Sequence, residues 1–295
     1  MSIEQDMQPL KKSSLIVNQD RMAFLEETMV SRWEGYRMGG PRHAAFGLDT
    51  LLQEIIDCST VAQGTAWHHR AQALLSSSRQ LEGCVYGDKQ YEKAHTSLQI
   101  AYDIAYEIDD CELMAAARTR EGVIFLREDN PTEAMSYLKG ALAIITNGHG
   151  FSHLRIYILG TLSQMYARMQ KRQESLHCIG LAERTLEEKE LVLARSHLIL
   201  DDPMLRATKA ASALFLRDYD RALSLFQKNL GEYIPTSMPK RARLLAQMAE
   251  AHYGLKQIDE CTTSAIEAWT LAQSVGSSRI ATQVRQLYQR LAESR

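Results

Sequence analysis

Proline is scarce in this chain of 295 residues, with six in all: Pro9, Pro41, Pro131, Pro203, Pro235 and Pro239. A helix interior tolerates proline badly, so long stretches without it leave room for a nearly all-helical protein. No apolar run approaches the roughly 20 residues that span a bilayer, and the start of the chain lacks a signal-peptide stretch. A cytoplasmic chain with no membrane partner is therefore expected. The five cysteines (Cys58, Cys84, Cys111, Cys178 and Cys261) are widely spread and never form a CxxC pair. That excludes a disulfide framework and a ribbon-type zinc site, and leaves small buried thiols. A phosphate-cradling loop is missing too, since Gly39-Gly40 and Asn147-Gly148-His149-Gly150 have neither the spacing nor the lysine.

The residues that could carry chemistry are equally sparse. His68 and His69 are adjacent, so on a helix they point about 100° apart and cannot readily share a metal. His149 and His153 have a four-residue spacing, but the flanking glycines place His149 in a turn and no glutamate stands beside it. His177-Cys178 has no recognisable base or oxyanion site around it. Asp109-Asp110 and Asp201-Asp202 fall at helix starts, where the positive end of the helix dipole favours them. No catalytic residue, metal or cofactor is expected, and the chain reads as a non-enzyme.

Net charge is −2, but it is unevenly spread. Residues 1–150 hold 14 Lys and Arg against 21 Asp and Glu (−7), and residues 151–295 hold 20 against 15 (+5). Such an asymmetry would orient a partner or favour head-to-tail self-association, a homodimer among the forms open to it. A chance imbalance on solvated faces would look the same. Lys240, Arg241 and Arg243 fall in one helical turn without interleaved aromatics, which argues for a solvated face and against nucleic acid.

What the chain does have is a recurring phrase. It reads YEKAHTSLQIA around Ala94, TEAMSYLKGALAI around Ala134 and QESLHCIGLAERTL around Ser175. It returns as DRALSLFQKNL around Ala222 and DECTTSAIEAWTLA around Cys261. Four positions after each anchor stand Leu98, Leu138, Ile179, Phe226 and Ala265. Seven positions after stand Ala101, Ala141, Ala182, Asn229 and Ala268. Offsets of four and seven mark one helix face. Anchor spacings of 40, 41, 47 and 39 describe one helical unit stacked repeatedly.

The organisation follows from this register. Residues 1–17 read as a flexible arm. Residues 18–64 read as a helical pair, a degenerate repeat, with Asn18 as cap and Gly39-Gly40-Pro41 as the break. Residues 65–295 read as five helical pairs and a terminal capping helix over about 278–293. Asn130-Pro131 with Glu133 is a capping-box arrangement at the start of one second helix. The long spacing before Ala222 predicts an extension or insert over 187–202.

Twelve residues before the anchors lie small residues with an aromatic three further on: Gly122 with Phe125, Ser163 with Tyr166, and, displaced by one, Gly83 with Tyr86. Ala210 and Ala249 keep the small residue only. Over about 65–275 the chain resembles a tetratricopeptide-repeat protein, in the style of the sensor arrays of bacterial helix-turn-helix regulators and peptide-pheromone receptors. No DNA-binding head is recognisable in residues 20–60. The resemblance implies an all-α fold, a right-handed α-solenoid of helical hairpins, binding a peptide or protein segment in its concave groove.

In that architecture the first helix of each unit lines the groove. Counting back from the anchors places Arg79, Tyr86, Thr119, Arg127, Tyr157, Gln164, Arg168, Arg243, Glu250 and Tyr253 towards it. Arginine forks hold carboxylates or carbonyls, and tyrosines give stiff amphipathic contacts. The fourth unit instead offers Met204, Ala207, Ala211 and Leu214, an apolar patch. A regulatory adaptor that senses a peptide is the expected function. A constitutive scaffold or assembly factor, and a DNA-associated regulator, are the alternatives.

Overall fold

The computed structural model describes residues 16–145, 151–187, 196–198, 202–233 and 237–293. Most of the expected arm, most of the 187–202 insert and His149 lie outside them. Among the described residues there are fourteen helices and no strand. Helices α1 (Gln19–Gly39), α2 (Pro41–Ala45) and α3 (Leu48–Ala62) come first. Five hairpins follow: α4 (His68–Tyr86) with α5 (Tyr91–Glu107), α6 (Cys111–Arg127) with α7 (Pro131–Ile145), and α8 (Ser152–Arg168) with α9 (Arg172–Glu187). Then come α10 (Asp202–Phe215) with α11 (Tyr219–Tyr233), α12 (Met238–Gly254) with α13 (Ile258–Val275), and a last helix α14 (Ser278–Glu293). No helix among the described residues is long and apolar enough to cross a membrane.

The repeated phrase is the core. Every anchor and both of its partners are buried, from Ala94, Leu98 and Ala101 to Cys261, Ala265 and Ala268. The small residue of each first helix exists to let the second helix approach. A Cβ at Gly83 would lie 2.6 Å from Leu98 Cγ, and one at Gly122 would lie 2.9 Å from Leu138 Cγ. In the third unit Ser163 and Ser175 meet instead, hydroxyl to hydroxyl at 3.0 Å. Asn229, the polar exception in the register, is fully buried and donates to the Pro203 carbonyl at 2.9 Å, tying α11 to the first turn of α10.

The turns repeat as closely as the helices. Asp129, Gln170, Arg217 and Lys256 each adopt a left-handed φ near +60° between the two helices of a unit. Just after each, an amide reaches back to the last turn: Asn130 to Phe125, Lys171 to Tyr166, Asp218 to Ala213 and Gln257 to His252, at 2.9 to 3.0 Å. This is the closure that satisfies orphan helix carbonyls. The first unit turns differently, with Gln90 reaching Tyr86, which accounts for its register slip. Local caps follow the sequence signals. Asn18 accepts from Arg21 N, and Asn130 accepts from Glu133 N with Pro131 opening α7. Ahead of α4 the Thr65 hydroxyl accepts from Trp67 N, and the helix begins at His68.

The two ends of the array meet. Helix α1 packs against α12, and α2 against α13. Ser237, which caps α12, donates its hydroxyl to the Arg37 carbonyl at 2.7 Å. Gly40 has φ +83 and sits where a Cβ would press on the Val275 carbonyl at 3.2 Å. The break after α1 therefore serves two needs, a positive φ and a close approach. From the other end, the start of α14 docks on the turn after α4: Asp88 accepts from Ser277 Oγ at 3.1 Å and from Ser278 N at 2.7 Å. The concave side is thus enclosed.

Candidate functional site: the enclosed interior

A stretch of the chain's own backbone lies inside the enclosure. Residues 196–198 enter beside α6, where Ser196 N donates to Glu112 Oε1 at 2.7 Å and Arg120 Nη2 donates to Ser196 O at 2.5 Å. One residue is held by both its amide and its carbonyl. His197 stacks on Trp33 with centroids 5.1 Å apart and planes 16° from parallel. Leu198 is buried with Leu138, Leu154 and Ile158. His197 has φ +53, so the backbone turns here, and the contacts hold one residue's backbone and the two side chains that follow it.

The wall behind this segment is a polar network with apolar support. Arg120 is buried, donates also to Gln80 Oε1, and lies 4.5 Å from the Trp33 ring centroid. Gln80 in turn donates to the Leu113 carbonyl at 3.2 Å. Trp33 donates its indole N–H to Ser77 Oγ at 3.0 Å. A buried guanidinium is costly unless every face of it is used, and this one has two acceptors and a π face.

Acid should loosen the segment. Burial first, then Arg120 and Arg37, lower the His197 pKa to about 4 from its ordinary 6.5. The folded state keeps His197 neutral while the unfolded or released state takes a proton below pH 6.5. Stability from this group is therefore complete above 6.5 and falls as the pH drops towards 4, by about 2–3 kcal/mol. We expect Trp33 emission, isolated by Trp67→Phe and Trp269→Phe, to change over that window. His197→Gln should flatten the profile; an unchanged profile in that variant would assign the acid response elsewhere.

The sequence-predicted groove residues do not form one continuous lining. Arg127, Tyr157 and Arg243 lie towards the centre. Arg127 Nη1 donates to the Gly87 carbonyl at 2.9 Å and sits beside the Tyr36 hydroxyl, with Cys84 and Tyr157 near. Burial first, and then Cys84, push Tyr36 up to about 12. Arg168 reaches the Leu126 carbonyl at 3.4 Å and lies 4.5 Å from the Phe215 centroid. Burial lowers its pKa. Gln164 is half-buried on α8.

The others are engaged within the protein. Arg79 pairs with Glu82 at 2.8 Å, and Tyr86 lies under the Lys93 ammonium at 5.4 Å. Thr119 departs from the expected lining: it is fully buried and donates to Ala115 O at 2.6 Å, so it presents no surface to a ligand. Glu250 accepts from Arg290 at 2.5 and 2.6 Å, and the same guanidinium lies over Tyr253 at 5.1 Å. The terminal helix thus holds the end of the expected groove. Of the apolar patch, Met204 and Ala207 line a narrow cleft with Asn229, Leu230 and Arg243, while Ala211 and Leu214 are buried.

Residues that anchor counting missed carry much of the interior: Trp33, Tyr36, Gln80, Asp88, Glu112, Arg120, His197 and Arg279. One signal was available. Arg120 stands seven residues before Arg127, two helical turns on the same face.

No family model matches the chain, and no curated protein matches it. Among solved structures it is similar to an aspartyl phosphate phosphatase F from Bacillus subtilis, at 13% identity and TM-score 0.63, over 87% of this chain and 61% of the other. It is also similar to a Rap protein complexed with competence and sporulation factor, at 16% identity and TM-score 0.61, over 90% of this chain and 67% of the other. The chain spans about three fifths of the first relative's length. At these identities the likeness is one of fold, a tetratricopeptide-type helical solenoid.

Proposed function

We propose that the protein is a non-enzymatic regulatory adaptor that binds a short peptide or protein segment in its enclosed interior. The observation that carries this reading is the seat of residues 196–198, where Glu112 and Arg120 grip both polar groups of one residue and Trp33 takes the next side chain. A wall that recognises backbone in this way accepts many sequences for affinity and selects by side-chain pockets. One solved structure of similar fold is a Rap protein complexed with competence and sporulation factor, which agrees with a binding role. Binding would then be relayed by a change of superhelical pitch, because each repeat rests only on its neighbours and small rotations add. The soluble interior of a bacterial cell is the setting this reading implies.

The test empties the side-chain places of the seat and weakens the resident segment's hold. A variant with Ser196, His197 and Leu198 replaced by glycine, which removes the His197 stack on Trp33 and the Leu198 packing but keeps the backbone, is titrated with a labelled synthetic peptide copying residues 192–200. Saturable binding is expected, weakened at least tenfold by adding Trp33→Phe, with wild type binding more weakly because its seat is filled. A vacated seat that binds neither this peptide nor any member of a random hexapeptide library would overturn the reading. Replacing Arg127 and Arg168 together by Ala should also abolish binding of the peptide while the helical content stays unchanged.

A further inference from the structure

Three guanidinium groups from distant parts of the chain converge where the ring closes. Arg127 ends α6, Arg243 lies on α12, and Arg279 stands in the first turn of α14. Backbone contacts place two of them, and Arg243 lines the neighbouring cleft with Met204 and Asn229 and acts electrostatically on Arg279. Arg127 holds the Gly87 carbonyl, and the next residue, Asp88, receives Ser277 Oγ and Ser278 N, which sets Arg279 beside Arg127.

Their surroundings are short of negative charge. Among the described residues neither Arg243 nor Arg279 makes an ion pair or a side-chain hydrogen bond, although Arg70, Arg241 and Arg290 each find a glutamate. Asp88 is the nearby carboxylate; it accepts from Ser277, Ser278 and the Arg279 amide, and its single negative charge faces three guanidinium groups. Burial first, and then Arg127 and Arg243, bring the Arg279 pKa down to about 10, against a smaller opposing pull from Asp88. All three side chains remain partly reached by solvent, so they line the interior and are not sealed in its wall. Like charges gathered in a confined space raise each other's energy unless a counter-charge arrives.

We propose that Arg127, Arg243 and Arg279 form a seat for a carboxylate of the bound ligand, either a peptide's terminal carboxylate or an acidic side chain. This rests on the peptide reading above. Forked guanidinium donors match the two oxygens of a carboxylate, and converging donors from α6, α12 and α14 would make the ligand a tie across the closure.

The probe needs no peptide: citrate is titrated into the full chain at pH 8, with ionic strength held constant by chloride. The melting temperature of the wild type should rise and saturate, and Arg279→Gln and Arg243→Gln should each remove most of that rise. In chloride alone Arg279→Gln should be at least as stable as wild type, because repulsion is relieved, whereas Arg290→Gln, which breaks a paired contact, should be less stable. A rise that does not saturate, or is equal in wild type and both variants, is a general salt effect and overturns the seat. So does Arg279→Gln melting lower than Arg290→Gln. N-acetyldiglycine and N-acetylaspartate α-amide separate terminal from side-chain carboxylates as the source. Saturation by inorganic phosphate with no response to any carboxylate would overturn the carboxylate assignment. Failure here leaves the vacated-seat titration standing, and success here does not depend on it.

Discussion

Arg120→Met is expected to lower the unfolding free energy by about 3–5 kcal/mol, a large share of the 5–15 kcal/mol typical of a domain. The change leaves two acceptors, Gln80 Oε1 and Ser196 O, without the donor they now have. Each orphaned acceptor costs about 1–3 kcal/mol. The Trp33 ring also loses its cation, worth about 0.5–2 kcal/mol. Methionine fills much of the volume, so a cavity adds little. Urea unfolding followed by circular dichroism would measure the loss, and Arg120→Lys, which keeps the charge but gathers its donors on one nitrogen, should fall between. Because Trp33 shares the network, Trp33→Phe in the Arg120→Met background should cost less than it does alone. A loss below about 1 kcal/mol for Arg120→Met would mean that the network is solvated and not structural.

The part of the fold written in local pattern was legible in the sequence. Ala94, Leu98 and Ala101 and their four counterparts are the core because a helix face must be buried and a repeat buries the same face each time. Gly83 and Gly122 announced the close approach that the structure shows at Leu98 and Leu138. Asn130-Pro131 marked a helix start by the groups it satisfies. The return of the first helices to the last pair was not legible. Ser237 meets Arg37 across 200 positions, and neither residue's neighbourhood carries a period that names the other. The site suffered most from this. Counting back from anchors assumes a groove open along its length, yet Arg290 holds Glu250 and Tyr253, and residues 196–198 fill the space before α6. Trp33 and Tyr36 fall in the first helix of the pair expected over residues 18–64. Their polar ends, which meet Ser77 and Arg127, had no local signal.

Asp88→Ala is expected to open the ring and to cost about 2–4 kcal/mol. Asp88 acts as a cap supplied from elsewhere in the chain: it accepts from Ser277 Oγ, Ser278 N and, at 3.5 Å, Arg279 N, at the positive end of α14. Loss of a capping side chain costs about 0.5–2 kcal/mol, and hydrogen bonds to a charged group about 1.5–3 kcal/mol. A second cost is electrostatic, because the same carboxylate is the counter-charge drawn on by Arg279 between Arg127 and Arg243. Asp88→Asn separates the two: the amide keeps an acceptor for the α14 amides and loses the charge. If capping dominates, Asp88→Asn should behave close to wild type; if charge dominates, it should follow Asp88→Ala. Small-angle scattering should show a larger radius of gyration for Asp88→Ala, since the remaining link between the ends runs through α1 with α12 and α2 with α13, a small interface. Citrate should return the radius of Asp88→Asn towards that of wild type, by supplying the missing negative charge to the arginines. A radius unchanged in both variants would place the stability of the closure in those contacts, the Ser237 hydrogen bond to the Arg37 carbonyl among them, and Asp88 would then be a helix cap without a part in holding the ring.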